Sequence, residues 1–144
     1  MAKIIDTHSH ILPGIDDGAG SWKEALCMLK TAQAQGIRRV IATPHWGGPF
    51  GYTDPVQIRE LCFTLQEKAR RHNISVKIYQ GQEVMYTEEA ADRIANGEIL
   101  TLADSRYVLA EFYQSGIREF FGQYSALHSR DTVRSSLMQR DMKR

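Results

Sequence analysis

The stretch DTHSHILPGIDDGA, residues 6–19, places an aspartate, two histidines and two further aspartates directly behind a short apolar run. In an extended segment residues i and i+2 face the same way, so His8 and His10 turn both imidazoles to one side and Thr7 and Ser9 to the other. Two imidazoles with a carboxylate form a common ligand set for Zn, Mn or Fe. More donors follow: Asp16 and Asp17, His45 after ATP, Glu83 after GQ, and Glu111 at the end of YVLAEF. Singly, most are ordinary. His45 suits a loop, Asp16-Asp17-Gly18 a turn, and Glu83 a solvated strand end. What sets them apart is that each lies just past, or at the end of, an expected strand. A carboxylate such as Glu83 can bridge two ions, and paired ions hydrolyse phosphate esters by activating water and stabilising the leaving oxygen.

The elements that would position these groups are legible in the apolar pattern. KIID (3–6) reads as a first strand, RRVIATPH (38–45) as a second stopped by Pro44, ISVKIYQGQEV (74–84) as a third, and YVLAEF (107–112) as a fourth. Between them, Trp22–Gln35 has helical spacing, with Ser21 and Glu24 as a capping box and Gly36 as the C-terminal stop. Residues 55–72 repeat Ile58, Leu61, Leu65 and Ala69 at helical intervals. Thr87 opens a third helix that runs to Gly97. The order β-α-β-α-β-α-β predicts an α/β fold with parallel strands and crossover helices. Ligands bind such folds at the carboxyl ends of the strands, where the His, Asp and Glu residues fall.

The 144 residues suffice for one ordinary domain and fall short of a full eight-strand barrel, which takes ~250. A net charge of +1 gives no global field for nucleic acid. No apolar window predicts a membrane span or a signal peptide, and the two cysteines, Cys27 and Cys62, do not make a disulfide framework; a cytoplasmic protein is expected. Both cysteines fall mid-helix near apolar faces and are poor nucleophile candidates. No phosphate-binding glycine loop or C-x-x-C occurs. Trp46, Phe50 and Tyr52 after His45 fit either a packed loop or a rim that stacks on an aromatic substrate. Arg106 could hold a phosphate bidentately or serve as a surface pair.

Three segments together, IDTHSHILPGIDDGA, GIRRVIATPHW and GQEVMYTEEAADRIANGEILTLADSRYVLAEF, resemble the PHP-fold protein-tyrosine phosphatases linked to capsule and exopolysaccharide synthesis in Gram-positive bacteria, the CpsB/YwqE type. H-x-H-x-L-P-G-x-D-D-G and A-T-P-H carry the resemblance, which covers about residues 3 to 121. It implies the N-terminal part of a distorted (β/α) barrel and metal-dependent hydrolysis of phosphotyrosine on a bacterial tyrosine kinase tail. It implies two or three divalent ions, usually Mn²⁺ with Zn²⁺ or Fe²⁺ as alternatives, and a metal-activated water as nucleophile. His8 and His10 would hold one ion, Glu83 would bridge two, His45 would bind another and Asp17 would complete a third position. Arg106 would stand near the site as the catalytic candidate and not as a ligand. Another PHP phosphoesterase, of the histidinol phosphatase kind, and a non-catalytic metal-binding remnant are the alternative readings.

The family's later A-H-x-E-R-Y and D-x-H motifs do not occur here. Residues 1–121 are expected to form a partial phosphatase domain. Residues 122–144 are expected to be a basic tail, read out of frame after one nucleotide was lost near Gly122; the gene sequence at that codon tests this. A half-built barrel exposes a sheet edge, so self-association through that edge and weak activity are expected.

Overall fold

The computed structural model describes residues 4–112. In chain order the elements are β1 (Ile4–Ser9), α1 (Trp22–Ala34), β2 (Ile37–Ala42), β3 (His45–Trp46), α2 (Pro55–Arg71), β4 (Lys77–Gln80), β5 (Glu83–Met85), α3 (Ala90–Ala95) and β6 (Leu109–Glu111). One sheet has the order β1-β2-β4 and the other β3-β5-β6, and every pairing is parallel. The expected α/β architecture with crossover helices is present. The expected tail at 122–144, its reading frame and the domain boundary before it lie outside the described residues.

Local chemistry explains the helices. Ser21 Oγ accepts the Glu24 N–H at 3.2 Å. The Glu24 carboxylate reaches back to the Gly20 N–H at 2.9 Å, one residue earlier than a strict capping box. Asp54 caps α2 by accepting the Val56 N–H, and Pro55 fills the first helical position, where no N–H is needed. Gly36 ends the α1 region at φ 87, the left-handed conformation expected there. α1 packs on β2, α2 packs on β4, and the helices touch each other. Leu29, Ile58 and Leu65 are fully buried between them and the first sheet; burial of each side chain is worth roughly 1.5–3 kcal/mol.

Three expectations are corrected. The second and third strands are each broken in two. Thr43 and Pro44 separate β2 from β3: Thr43 donates its N–H to the Ser9 carbonyl, and the Pro44 carbonyl accepts from the Glu83 N–H at 3.0 Å. Gly81 and Gln82 separate β4 from β5. A Cβ on Gly81 would stand 3.0 Å from a Leu102 methyl and 3.1 Å from an Ile41 methyl, so a larger residue would require these side chains to give. The Gln82 side chain is wholly buried; it donates to the Thr53 carbonyl and hydroxyl and accepts the Leu100 N–H at 2.7 Å. Secondly, Ile74 and Val76 are buried as their alternation suggests but lie before β4. Glutamine side chains take the place of a ladder there, Gln33 accepting from Ser75 and Gln66 bonding Val76 and Ile78. Finally, α3 starts at Ala90 and not Thr87, and Glu89 at its N-cap gives no side-chain bond.

Among the described residues β1 is an outer strand of the first sheet, and its Ile4 and Ile5 are 50% and 44% exposed. Cys27 is exposed, not on an apolar face as expected; Cys62 is buried, and burial pushes its thiol up to about 12. No helix among the described residues is long and apolar enough to cross a membrane.

Candidate metal centre

The strand breaks create the site. β1 ends as the first sheet ends, and His8 and His10 lie there. His45 and Glu83 are paired in register at the start of the second sheet. The seam between the sheets therefore brings together donors from three strands, and β6 adds Glu111.

Glu83 is the centre of the cluster. Its Oε2 stands 3.0 Å from His10 Nε2, 3.1 Å from His8 Nε2 and 3.4 Å from His45 Nδ1. The two Nε2 atoms are themselves 3.1 Å apart. His45 Nδ1 also lies 3.3 Å from Glu111 Oε2, and its Nε2 lies 3.5 Å from Asp17 Oδ1. Three groupings of ligand atoms result: His8, His10 and Glu83; His10, Asp17 and His45; His45, Glu83 and Glu111. Glu83 Oε2 is buried without a hydrogen bond of good geometry, although three ring nitrogens surround it. A buried carboxylate oxygen set among three imidazole nitrogens is costly unless protons or a cation lie between them. The donor set, mixed N and O, therefore fits divalent transition metals.

Asp16 organises the ligands. Its side chain is fully buried; Oδ2 accepts from His10 Nδ1 at 2.8 Å and from the His45 N–H at 3.1 Å, and Oδ1 accepts from the Gly18 N–H at 3.0 Å. It thus holds His10 with its proton on Nδ1 and leaves Nε2 free to ligate. Burial works against the Asp16 charge, but these bonds outweigh it and keep the carboxyl below its ordinary range. The loop is closed by Ala19 donating to the His10 carbonyl at 3.0 Å. Gly18 runs against His10 so tightly that a Cβ would collide with the His10 carbonyl oxygen and Cβ. His45 is fixed on its other side by Thr53, whose hydroxyl donates to its carbonyl at 2.9 Å.

Of the residues singled out in the sequence, His8, His10, Asp17, His45 and Glu83 are brought together. Arg106 is exposed on the turn before β6, with no polar contact to the cluster among the described residues. Trp46 is buried at 4%, whereas Phe50 and Tyr52 are exposed, so the aromatic loop is part core and part rim. Two participants are weak signals in the sequence: Asp16, whose Asp-Asp-Gly setting reads as a turn, and Glu111, an acid at a strand end. The paired acids before Gly18 were the available signal for the first.

Without metal, burial lowers the His10 pKa, but Asp16 and Glu83 outweigh it and raise the value from 6.5 to about 9. Burial likewise opposes the Glu83 charge, and His10 and His8 outweigh it to hold the carboxyl well below its ordinary 4.5. The raised His10 contributes stability that is complete below pH 6.5 and is lost as pH rises through about 9. The depressed Glu83 contributes stability that is complete above 4.5 and is lost as pH falls through its folded value. EDTA-treated chain should therefore melt highest between pH 4.5 and 6.5, and several degrees lower at pH 9. Because His10 must lose its proton to ligate, stabilisation by added Mn²⁺ should grow over the same rise. Thermal melts with and without the ion check both trends.

The family model described as "Capsular polysaccharide synthesis, CpsB/CapC" matches residues 4–123. The tyrosine-protein phosphatase YwqE of Bacillus subtilis is 37% identical over 109 residues, covering 76% of this chain and 43% of that protein. The tyrosine-protein phosphatase CpsB of Streptococcus pneumoniae is 36% identical over 109 residues, covering 76% of this chain and 45% of that protein. Crystal structures of these two, described as metal-dependent tyrosine phosphatases, include a match with TM-score 0.81 and 31% identity, covering 92% of this chain and 53% of that one. The chain spans about half the length of these relatives. With the family match running through every strand that supplies the cluster, this chain belongs to the CpsB/CapC family of capsular polysaccharide synthesis.

Proposed function

We propose that the chain carries a metal-dependent protein-tyrosine phosphatase site of the PHP type. We read its ion as manganese, its setting as the cytoplasm, and its substrate as phosphotyrosine on a bacterial protein such as a tyrosine kinase tail. The observation that carries this reading is the buried Glu83 Oε2, without a hydrogen bond inside a ring of three imidazoles. His8, His10 and Glu83 would hold one ion, His45, Glu83 and Glu111 a second, and Asp17 with His45 would reach a third. Bound ions supply water activation and neutralise charge on the leaving oxygen. The protein's share is orientation. Asp16 fixes the His10 tautomer, the Thr53 hydroxyl and the Asp16 carboxylate hold the His45 backbone, and the Glu83 carboxylate supplies the charge that all three rings face. Arg106, exposed just before β6, is the cation we assign to the phosphate of the incoming protein.

The family match over 4–123 supports placing the phosphatase domain in residues 1–121, with 122–144 as a tail. The exposed Ile4 and Ile5 on an outer strand support self-association along that edge. Phosphate release by the Mn²⁺-loaded chain, from a phosphotyrosine peptide and from histidinol phosphate, tests the assignment. Metal-dependent release that favours the peptide at least tenfold is expected. A preference for histidinol phosphate, or no metal-dependent release from either, would overturn it.

A further inference from the structure

We propose that Phe50, stacked on His45 beside the metal centre, is the platform for the aryl ring of the substrate, and so selects aryl over alkyl phosphate esters. The proposal rests on the phosphatase reading and names the side chain that gives it specificity. The Phe50 and His45 rings lie 4.4 Å apart between centroids and within 10° of parallel. His45 presents its two nitrogens to Glu83, Glu111 and Asp17, so Phe50 covers the ring face and leaves the nitrogens clear. One face of Phe50 is thereby occupied, yet the residue remains 38% exposed. An ester whose phosphate reaches the His45 side of the cluster would bring its leaving group near this exposed ring.

A short hydrogen-bonded turn carries that ring. Gly47 donates its N–H to the Gly51 carbonyl at 2.6 Å, closing a small ring of chain around Pro49 and Phe50. Gly47, Gly48 and Gly51 have φ of 88, 64 and 74, which side-chain-bearing residues rarely adopt. A Cβ on Gly47 would also stand 3.3 Å from Met85 Cβ. Beside Phe50, Tyr52 packs on Trp46 at 4.9 Å and is 73% exposed, extending the aromatic surface outwards. Stacked aromatic pairs gain free energy beyond the area they bury.

The competing account is that Phe50 only shields His45 from water. Titration of the Mn²⁺-loaded full chain with phenylphosphonate and methylphosphonate, neither of which needs turnover, separates the two. Wild type should bind the phenyl compound roughly three- to tenfold more tightly, the scale of one ring stack. Phe50→Leu keeps an apolar cover over His45 and should bring that ratio close to one while methylphosphonate still binds; Phe50→Ala should do the same. A wild-type ratio near one, or a wild-type ratio retained by Phe50→Leu, would overturn the platform and leave the phosphatase reading standing. Loss of methylphosphonate by both variants would mean that Phe50 holds the centre together, and would overturn it too. If wild type binds neither phosphonate, the phosphatase reading fails and the platform falls with it.

Discussion

Glu83→Gln should sharply weaken divalent-ion binding by the chain and, with it, any phosphate-releasing activity. The substitution preserves shape and volume, so the strand pairing of Glu83 with His45 and Leu109 should survive. What disappears is the negative charge on the one atom within 3.4 Å of three imidazole nitrogens. Glu83 belongs to two of the three ligand groupings, so both weaken together. Altering a residue that merely supports a ligand costs 10–100-fold in affinity, so Mn²⁺ affinity should fall by at least roughly 100-fold here. Calorimetric titration with Mn²⁺, alongside p-nitrophenyl phosphate hydrolysis, checks this. The variant binding manganese as tightly as wild type would show that the carboxylate is not a ligand.

The second large effect is expected of Gly18→Ala, a change of one methyl group outside the ligand set. The φ of Gly18 is not in the left-handed region, so the cost is purely steric: the new Cβ would meet the His10 carbonyl oxygen, carbonyl carbon and Cβ. Nothing there is the flexible end of a side chain. Either the loop moves off β1 or His10 moves out of the cluster, and the Asp16 bond to the Gly18 N–H is disturbed in both cases. Overpacking of this kind costs typically 1–3 kcal/mol, and His10 misplacement should lower Mn²⁺ affinity by more than tenfold. Gly14→Ala is the contrast. That glycine has φ 70 with open space around it, so strain of roughly 1–2 kcal/mol is expected without displacement of His10. Urea unfolding and Mn²⁺ titration of the pair measure both quantities. Equal manganese affinity in the two variants would refute the role given to the close approach.

The clustered residues are legible in the sequence because chemistry and period coincide in them. His8 and His10 are two apart on an extended segment, and His45 and Glu83 lie where runs of β-branched residues end. Asp16 was less legible, because nothing in the order Asp-Asp-Gly says which acid turns inward. The choice is made by the collision surface between Gly18 and His10, a contact between residues eight apart. The broken strands were hidden for a related reason. Pro44 reads equally well as the end of one strand or a break within it, and Gln82 looks like any polar residue until Thr53 and Leu100 are seen around it. The turn that leaves Arg106 exposed follows Ala103 and Asp104, both at positive φ, a conformation that alanine does not announce.

The crease between the two sheets has a mechanical consequence. Short links, Thr43-Pro44 and Gly81-Gln82, carry the chain across it, and the donors stand on both banks: His8 and His10 on one, His45, Glu83 and Glu111 on the other. An ion shared between the banks would act as a rivet, adding a second tie to the apolar contact that Ile41 makes with Leu102 and Leu109. Loading with metal should then slow amide exchange in both sheets together, well beyond the residues that touch the ion.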